Sequence, residues 1–193
     1  MKWRIFLILE SKTCAFFGHR KIEITEELKQ SVREKIEELI LKHNVLIFLF
    51  GSRSDFDSLC HLIVTQLKQK YPEIKRIAYT CKNESCFLES EREKWEKTLS
   101  TLTKKEVHLN CFEEEFDHKT KYTAGRASYV ERNQAMINDS DFCIFYYDEK
   151  RQPPQRNRNL YIVGSTKSGT KLAYEYAKQK KKVIYNMYLT SVK

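Results

Sequence analysis

Three turns in this chain carry the residue types that hold phosphate. Phe16-Phe17-Gly18-His19-Arg20, Phe48-Leu49-Phe50-Gly51-Ser52-Arg53 and the stretch Gly164 to Thr170 (GSTKSGT) each join an apolar, strand-like run to a helix-like pattern. The first N–H groups of a helix have no partner within it, so they attract anions. Arginine beside such a turn adds a planar, bidentate donor for phosphate. In an open α/β sheet the turns meet at the carboxyl ends of the strands, where ligands bind. Three of them, two reading Gly-x-Arg, predict one crevice for a phosphate-bearing small molecule.

Other candidates stand near these turns. Ser168-Gly169-Thr170 opens a helix, with a small residue for close backbone approach and hydroxyls that accept or donate. Arg53 can reach a phosphate, while Asp55 and Asp57 can bond ribose hydroxyls or cap a helix; capping alone accounts for one of the two acids. Arg132-Asn133 precedes a strand, with Asp139 and Asp141 following. The third turn lacks the Gly-Lys-Ser/Thr ending of a Walker loop. No Gly-x-Gly-x-x-Gly follows the first strand, which disfavours an NAD-type dinucleotide fold.

The elements that must place these residues read as alternating strand and helix. Thr13 to Phe17 is a buried-type strand. Thr25 caps a helix whose Leu28, Val32, Ile36, Leu39 and Ile40 recur at helical spacing to about His43. Val45 to Phe50 is an unbroken apolar run, as in a central parallel strand. Ser54 or Asp55 caps the next helix, with Leu59, Leu62, Ile63 and Leu67 on one face, and Lys75 to Thr80 is a third strand. This β-α-β-α-β order implies parallel pairing with right-handed crossovers. Glu89 to Leu102 is helix-prone with Trp95, Leu99 and Leu102 inward, Val107 to Asn110 reads as a short strand, and residues 113–126 read as a loop. A helix at Ala127 to Asn138 and a strand at Phe142 to Tyr147 follow. Lys150 to Asn159 is an exposed basic loop, Ser168 to Lys180 a helix with Leu172, Ala173, Tyr176 and Ala177 inward, and Lys182 to Asn186 a last strand. The expected fold class is α/β, a Rossmann-like open and mostly parallel sheet flanked by helices, in one domain.

Composition sets the wider limits. The 193 residues are 41% hydrophobic, a globular balance. The net charge of +9 is uneven: residues 1–150 hold 25 basic and 25 acidic side chains, and the last 43 hold 10 basic groups against Glu175 alone. Lys178 to Lys182 reads as a solvated run at a helix end, where basic residues suit the dipole. The six cysteines show neither disulfide-scaffold nor zinc spacing, which points to reduced thiols in the cytoplasm and to no metal site. Ile5 to Leu9 is too short to span a membrane, and no signal-peptide pattern follows.

Taken in order, the motifs resemble the SLOG superfamily (the Smf/DprA and LOG group), and within it the YpsA-like branch. The matching segments are Phe17-Gly-His-Arg20, Gly51-Ser-Arg-x-x-x-Asp57, Arg132-Asn-Gln-Ala-Met136 leading through Asn138-Asp-Ser-Asp141, and Ser168-Gly-Thr170 with Ala177. The resemblance spans most of residues 13–186 and implies strand-end loops that bind nucleotides or nucleotide-derived molecules. LOG phosphoribohydrolases carry Gly-Gly-x-Gly-Thr-x-x-Glu, whose glutamate serves catalysis; here Ala173 stands at that position. Glu175 lies two residues on, about 200° around the helix, and faces elsewhere. DprA-like members bind single-stranded DNA, but Tyr146, Tyr147, Tyr161 and Tyr185 fall in strand-like runs and form no stacking platform.

The expectation is therefore a cytoplasmic, homo-oligomeric binding protein, a sensor or sequestering protein for a nucleotide-derived ligand of the kind used in bacterial and phage conflict. No cofactor is expected. Arg20, Arg53 and Ser168-Gly169-Thr170 would hold phosphate; Asp55, Asp57 and Asn133 would address ribose or base; Arg132 would serve either. Gly18, His19, Gly51 and Ser52 complete the predicted site. An N-glycoside hydrolase and a single-stranded DNA-binding module are the alternatives.

Overall fold

The computed structural model describes residues 10–51, 54–81, 86–99, 111–118, 126–151 and 167–188. In chain order these form β1 (Lys12–Gly18), α1 (Glu26–His43), β2 (Val45–Phe50), α2 (Asp55–Leu67), β3 (Lys75–Thr80) and β4 (Phe87–Leu88). A 3-10 turn at Glu89–Glu91 leads into α3 (Arg92–Leu99), β5 (Cys111–Phe112), β6 (Glu114–Asp117) and α4 (Arg126–Asn138). The series ends with β7 (Phe142–Tyr146), α5 (Gly169–Gln179) and β8 (Val183–Asn186).

Six strands make one sheet in the order β6-β3-β2-β1-β7-β8, and β4 pairs with β5. Every pairing is parallel. The chain winds from β1 through β2 to β3, then returns to the other side of β1 with β7. That reversal makes the β1–β7 junction the topological switch point, where such sheets open a crevice. The Rossmann-like architecture expected from the sequence is the one formed.

Successive strand residues point to opposite faces, so unbroken apolar runs fill two cores at once. Cys14, Phe16, Phe48, Phe50, Phe142 and Ile144 pack with α1 and α2. Ala15, Phe17, Leu49, Cys143, Phe145 and Tyr147 pack with α4 and α5. In α1 the five apolar residues read at helical spacing are the five buried ones, and Thr25 caps the helix by accepting from Leu28 N. Asn44 closes it in the left-handed region at φ 55°, its N–H bonded to Leu39 O.

Several expectations need correction. Glu114–Asp117, inside the stretch read as a loop, is strand β6 on the sheet edge. All four of its residues are exposed, so no apolar alternation announces it; pairing with β3 creates it. Leu62 is 53% exposed, and Phe56, Cys60 and Val64 fill the α2 face instead. In α5 the buried residues are Thr170, Ala173 and Ala177, while Leu172 and Tyr176 are only half-buried. Val107 to Asn110, Leu102, most of the 150–159 loop, Tyr161 and residues 164–166 of the third turn lie outside the described residues. So do the side chains of Trp95 and Leu99.

β6 is held by a buried ion pair. The Arg76 side chain is 4% exposed and its Nη2 stands 2.5 Å from Glu113 Oε1. Arg76 Nε and backbone N both donate to Glu113 Oε2, at 3.1 and 2.6 Å, and Nη1 donates to Thr65 Oγ1. All six cysteines are free thiols, and Cys14, Cys60, Cys81 and Cys143 are buried. Among the described residues no cluster of His, Cys, Asp or Glu has metal-site geometry, and no helix is long and apolar enough to cross a membrane.

Candidate functional site

At the switch point β1 ends at Gly18, and His19 follows it. A Cβ added at Gly18 would lie 2.3 Å from Phe56 Cβ, in the first turn of α2. Both atoms are fixed to backbone, so this glycine is required by close strand–helix approach. Gly18→Ala is expected to lower stability by about 1–3 kcal/mol, at the upper end of that range. An unchanged urea midpoint would contradict the packing.

His19 is 5% exposed. Its Nε2 accepts from Asp148 N at 3.0 Å, across 129 residues of chain. Its ring lies 5.9 Å from that of Tyr147. Burial holds its pKa below the ordinary value, and the Arg151 charge adds to that. The ring is therefore neutral, with its proton on Nδ1, and it ties the segment after β7 to the end of β1. Asn186 braces the same segment from β8, its Oδ1 accepting from Tyr147 N at 3.0 Å and its Nδ2 donating to Tyr147 O at 2.9 Å.

The N-terminus of α5 is pinned beside them. Ser168 Oγ accepts from Lys171 N at 3.1 Å as the cap, and Thr170 Oγ1 donates to Gly18 O at 3.0 Å. Both hydroxyls read from sequence as ligand groups are thus engaged in positioning the helix. What the turn offers a ligand is backbone N–H, and among the described residues a Cβ on Gly169 would meet nothing within 4 Å. The first turn of a helix suits an anion.

Arg132 stands at the neighbouring strand ends. It is 4% exposed on α4. Its Nε lies 3.0 Å from where a Cβ on Gly51 would stand, and its Nη1 is 4.0 Å from Cys81 Sγ. Gly51 and Cys81 directly follow β2 and β3, so the guanidinium sits at two strand ends. Gly51 is small because Arg132, Met136 Sδ at 2.7 Å and Tyr79 O at 3.1 Å crowd it. Asn133 is next along the helix, and its buried Oδ1 accepts no hydrogen bond among the described residues.

The remaining candidates divide. Ser52 and Arg53 lie outside the described residues. Arg20 is exposed, and its carbonyl accepts from Asp55 N at 3.0 Å. Asp55 is committed to the loop after β1: Oδ2 accepts from Ile22 N and Oδ1 pairs with Lys21 Nζ, both at 3.3 Å. Ser54 is the α2 cap, accepting from Asp57 N, and the Asp57 side chain is 2% exposed. Asp139 accepts from Tyr79 Oη, and Asp141 accepts from Thr13 N. Both hold the sheet and do not line the crevice. Sequence reasoning missed Tyr147 and Cys81, which an apolar run and a lone thiol after a strand gave no reason to single out.

At the position of the LOG glutamate, Ala173 is 4% exposed and packs in the α4–α5 core. Glu175 pairs with Lys167 Nζ at 2.8 Å.

A protein of Bacillus subtilis (strain 168) named "Uncharacterized SPbeta prophage-derived protein YoqJ" is 28% identical over 160 residues, covering 79% of this chain and 81% of its own length. The YpsA model, described as the YspA SLOG family, matches residues 11–190, nearly the whole chain. The chain belongs to the YspA SLOG family.

Proposed function

We propose that this protein binds a nucleotide-derived, phosphate-bearing small molecule at the strand ends and holds it without cleaving it. The observation that carries the reading is the α5 N-terminus, fixed by Thr170 against Gly18 at the switch point, where among the described residues a Cβ on Gly169 meets nothing within 4 Å. Unpaired N–H groups there would take phosphate, with Arg20 and Arg53 as additional cations. Arg132 and the buried Asn133 acceptor would address ribose or base. Ala173 in place of a glutamate leaves the oxocarbenium-like transition state of N-glycoside cleavage without its carboxylate partner. A sensor or sequestering role in bacterial and phage conflict fits these features, and the similar SPbeta protein is prophage-derived. A cytoplasmic, homo-oligomeric state belongs to the same reading.

Two measurements test it. Protein purified from cells and then denatured should release a nucleotide-derived compound identifiable by mass spectrometry. Incubation with AMP or NAD should liberate no adenine or nicotinamide; release of free base would replace binding with hydrolysis.

A further inference from the structure

We propose that the protein binds a small organic monoanion with an apolar body, in a cavity at the far end of the sheet from the crevice. The cavity has a volume of about 600 Å³, within the range of small-molecule sites. Thr65 comes from the end of α2, with Lys68 and Gln69 just beyond it, and Arg76 from the start of β3. Glu89 of the 3-10 turn, Arg92 of α3 and Cys111 of β5 complete the lining. Arg76 and Cys81 stand at opposite ends of β3, separated by five residues of strand, roughly 16 Å. The cavity is therefore distinct from the crevice, and the inference does not rest on the function proposed above.

Hydrogen-bond capacity decides what enters. Both acids beside Arg76 are engaged. Glu113 Oε2 receives Arg76 N and Nε, while its Oε1 receives Arg76 Nη2 and lies 3.4 Å from Lys68 Nζ. Glu89 Oε2 receives the Cys111 thiol at 2.7 Å and Arg76 Nη2 at 3.5 Å, and its Oε1 lies 3.6 Å from Arg92 Nη1. Thr65 Oγ1 accepts from Arg76 Nη1 and donates to His61 O. Donors are left over. Each terminal nitrogen of an arginine carries two N–H groups. Arg76 Nη1 uses one of its two, and Arg92 Nη2 meets no acceptor among the described residues. Lys68, Arg76 and Arg92 exceed Glu89 and Glu113 by one positive charge. Burial and then Glu89 push the Cys111 thiol up to about 12, so at neutral pH it adds no negative charge. The group that fits must bring acceptors and a single negative charge. The walls around it are largely apolar, made by side-chain stems and the Cys111 sulfur, so the rest of the ligand is apolar too.

The probe is 2-naphthoate, titrated into the intact protein by ligand-observed NMR, with 2-naphthamide as its uncharged isostere. Wild type should bind the acid at least about 10-fold more tightly than the amide, the worth of one charge-assisted hydrogen bond. Arg92→Ala should weaken the acid by about 10-fold and leave the amide within about twofold. The Arg92 side chain is 62% exposed, so the melting temperature should be unchanged. Gln69 is exposed, and Gln69→Trp should fill the cavity and abolish binding of both compounds by a folded protein. ADP-ribose, a nucleotide-derived probe of the crevice, should not displace the naphthoate. Failure of wild type to bind 2-naphthoate at millimolar concentration overturns the proposal, as does equal affinity for acid and amide. Undiminished binding by folded Gln69→Trp or Arg92→Ala also overturns it. Displacement by ADP-ribose would put the acid in the crevice, overturning the second site while leaving the binding function standing.

Discussion

Glu113→Gln is expected to destabilise the protein by about 3 kcal/mol, the low end of the cost of breaking a buried ion pair, because Glu89 Oε2 at 3.5 Å still faces the Arg76 guanidinium. The Arg76 side chain is 4% exposed, and Glu113 receives three of its hydrogen bonds, counting the backbone N–H. A glutamine can accept from one side of the guanidinium but cannot balance its charge. Arg76→Met with Glu113→Gln should recover much of the loss, because the double variant buries no ion. Burial alone would push the Glu113 carboxyl up, but the Arg76 hydrogen bonds and charge overcome it and hold the pKa below its ordinary 4.5. The contribution is therefore present above about pH 4.5 and is lost as the pH falls through the lower folded value. Urea denaturation of the single and double variants at pH 7 checks the magnitude. A loss under 1 kcal/mol in Glu113→Gln would contradict the assignment.

The second large effect lies at higher pH. His61 is 5% exposed, 5.1 Å from the Phe50 ring and 4.8 Å from the Phe112 ring. Burial lowers its pKa from 6.5 to about 4, even though its bond to Cys111 O favours the charged ring. The folded protein keeps this ring neutral, and the unfolded chain protonates it near pH 6.5. Stability is thus full above about pH 6.5 and declines until about pH 4, by roughly 3 kcal/mol in all. His19, also held below its ordinary value, adds in the same direction. The window lies above that of Glu113, so denaturation at pH 7 and pH 5 isolates the histidines. A stability curve flat between those values would rule out a neutral, buried His61.

How much of this was legible in the sequence depends on what kind of force makes each feature. Burial writes itself into periodicity: the five core residues of α1 and the run Val45–Phe50 were readable because apolar side chains must face apolar neighbours. β6 was not readable, since a charged, exposed edge strand exists through its pairing with β3 and carries no apolar pattern of its own. The glycine turns were legible as positions, but the packing and hydrogen bonds that fix them were not. Gly18 is small to admit Phe56, and Asp55 is acidic to receive the Ile22 N–H. Ser168 and Thr170 were read as ligand groups and are engaged in fixing α5. Bonds such as His19 to Asp148 and Thr170 to Gly18 join residues 129 and 152 positions apart. Single-chain spacing holds no signal for contacts of that range. The alanine at 173 was legible at once, because an absent carboxylate is a statement about chemistry and not about packing.

Calorimetric titration of ADP-ribose into wild type and Gly169→Asp tests the central claim most directly. Among the described residues a Cβ at Gly169 meets nothing within 4 Å, and an acid in the first turn favours the helix dipole, so the fold should be unharmed. Like charges about 4 Å apart near a surface repel by about 4 kcal/mol, and half of that is roughly 30-fold in affinity. The account predicts that wild type binds, that Gly169→Asp binds at least about 30-fold more weakly, and that its denaturation midpoint is unchanged. Undiminished binding by a folded Gly169→Asp protein would contradict a phosphate site at the α5 N-terminus.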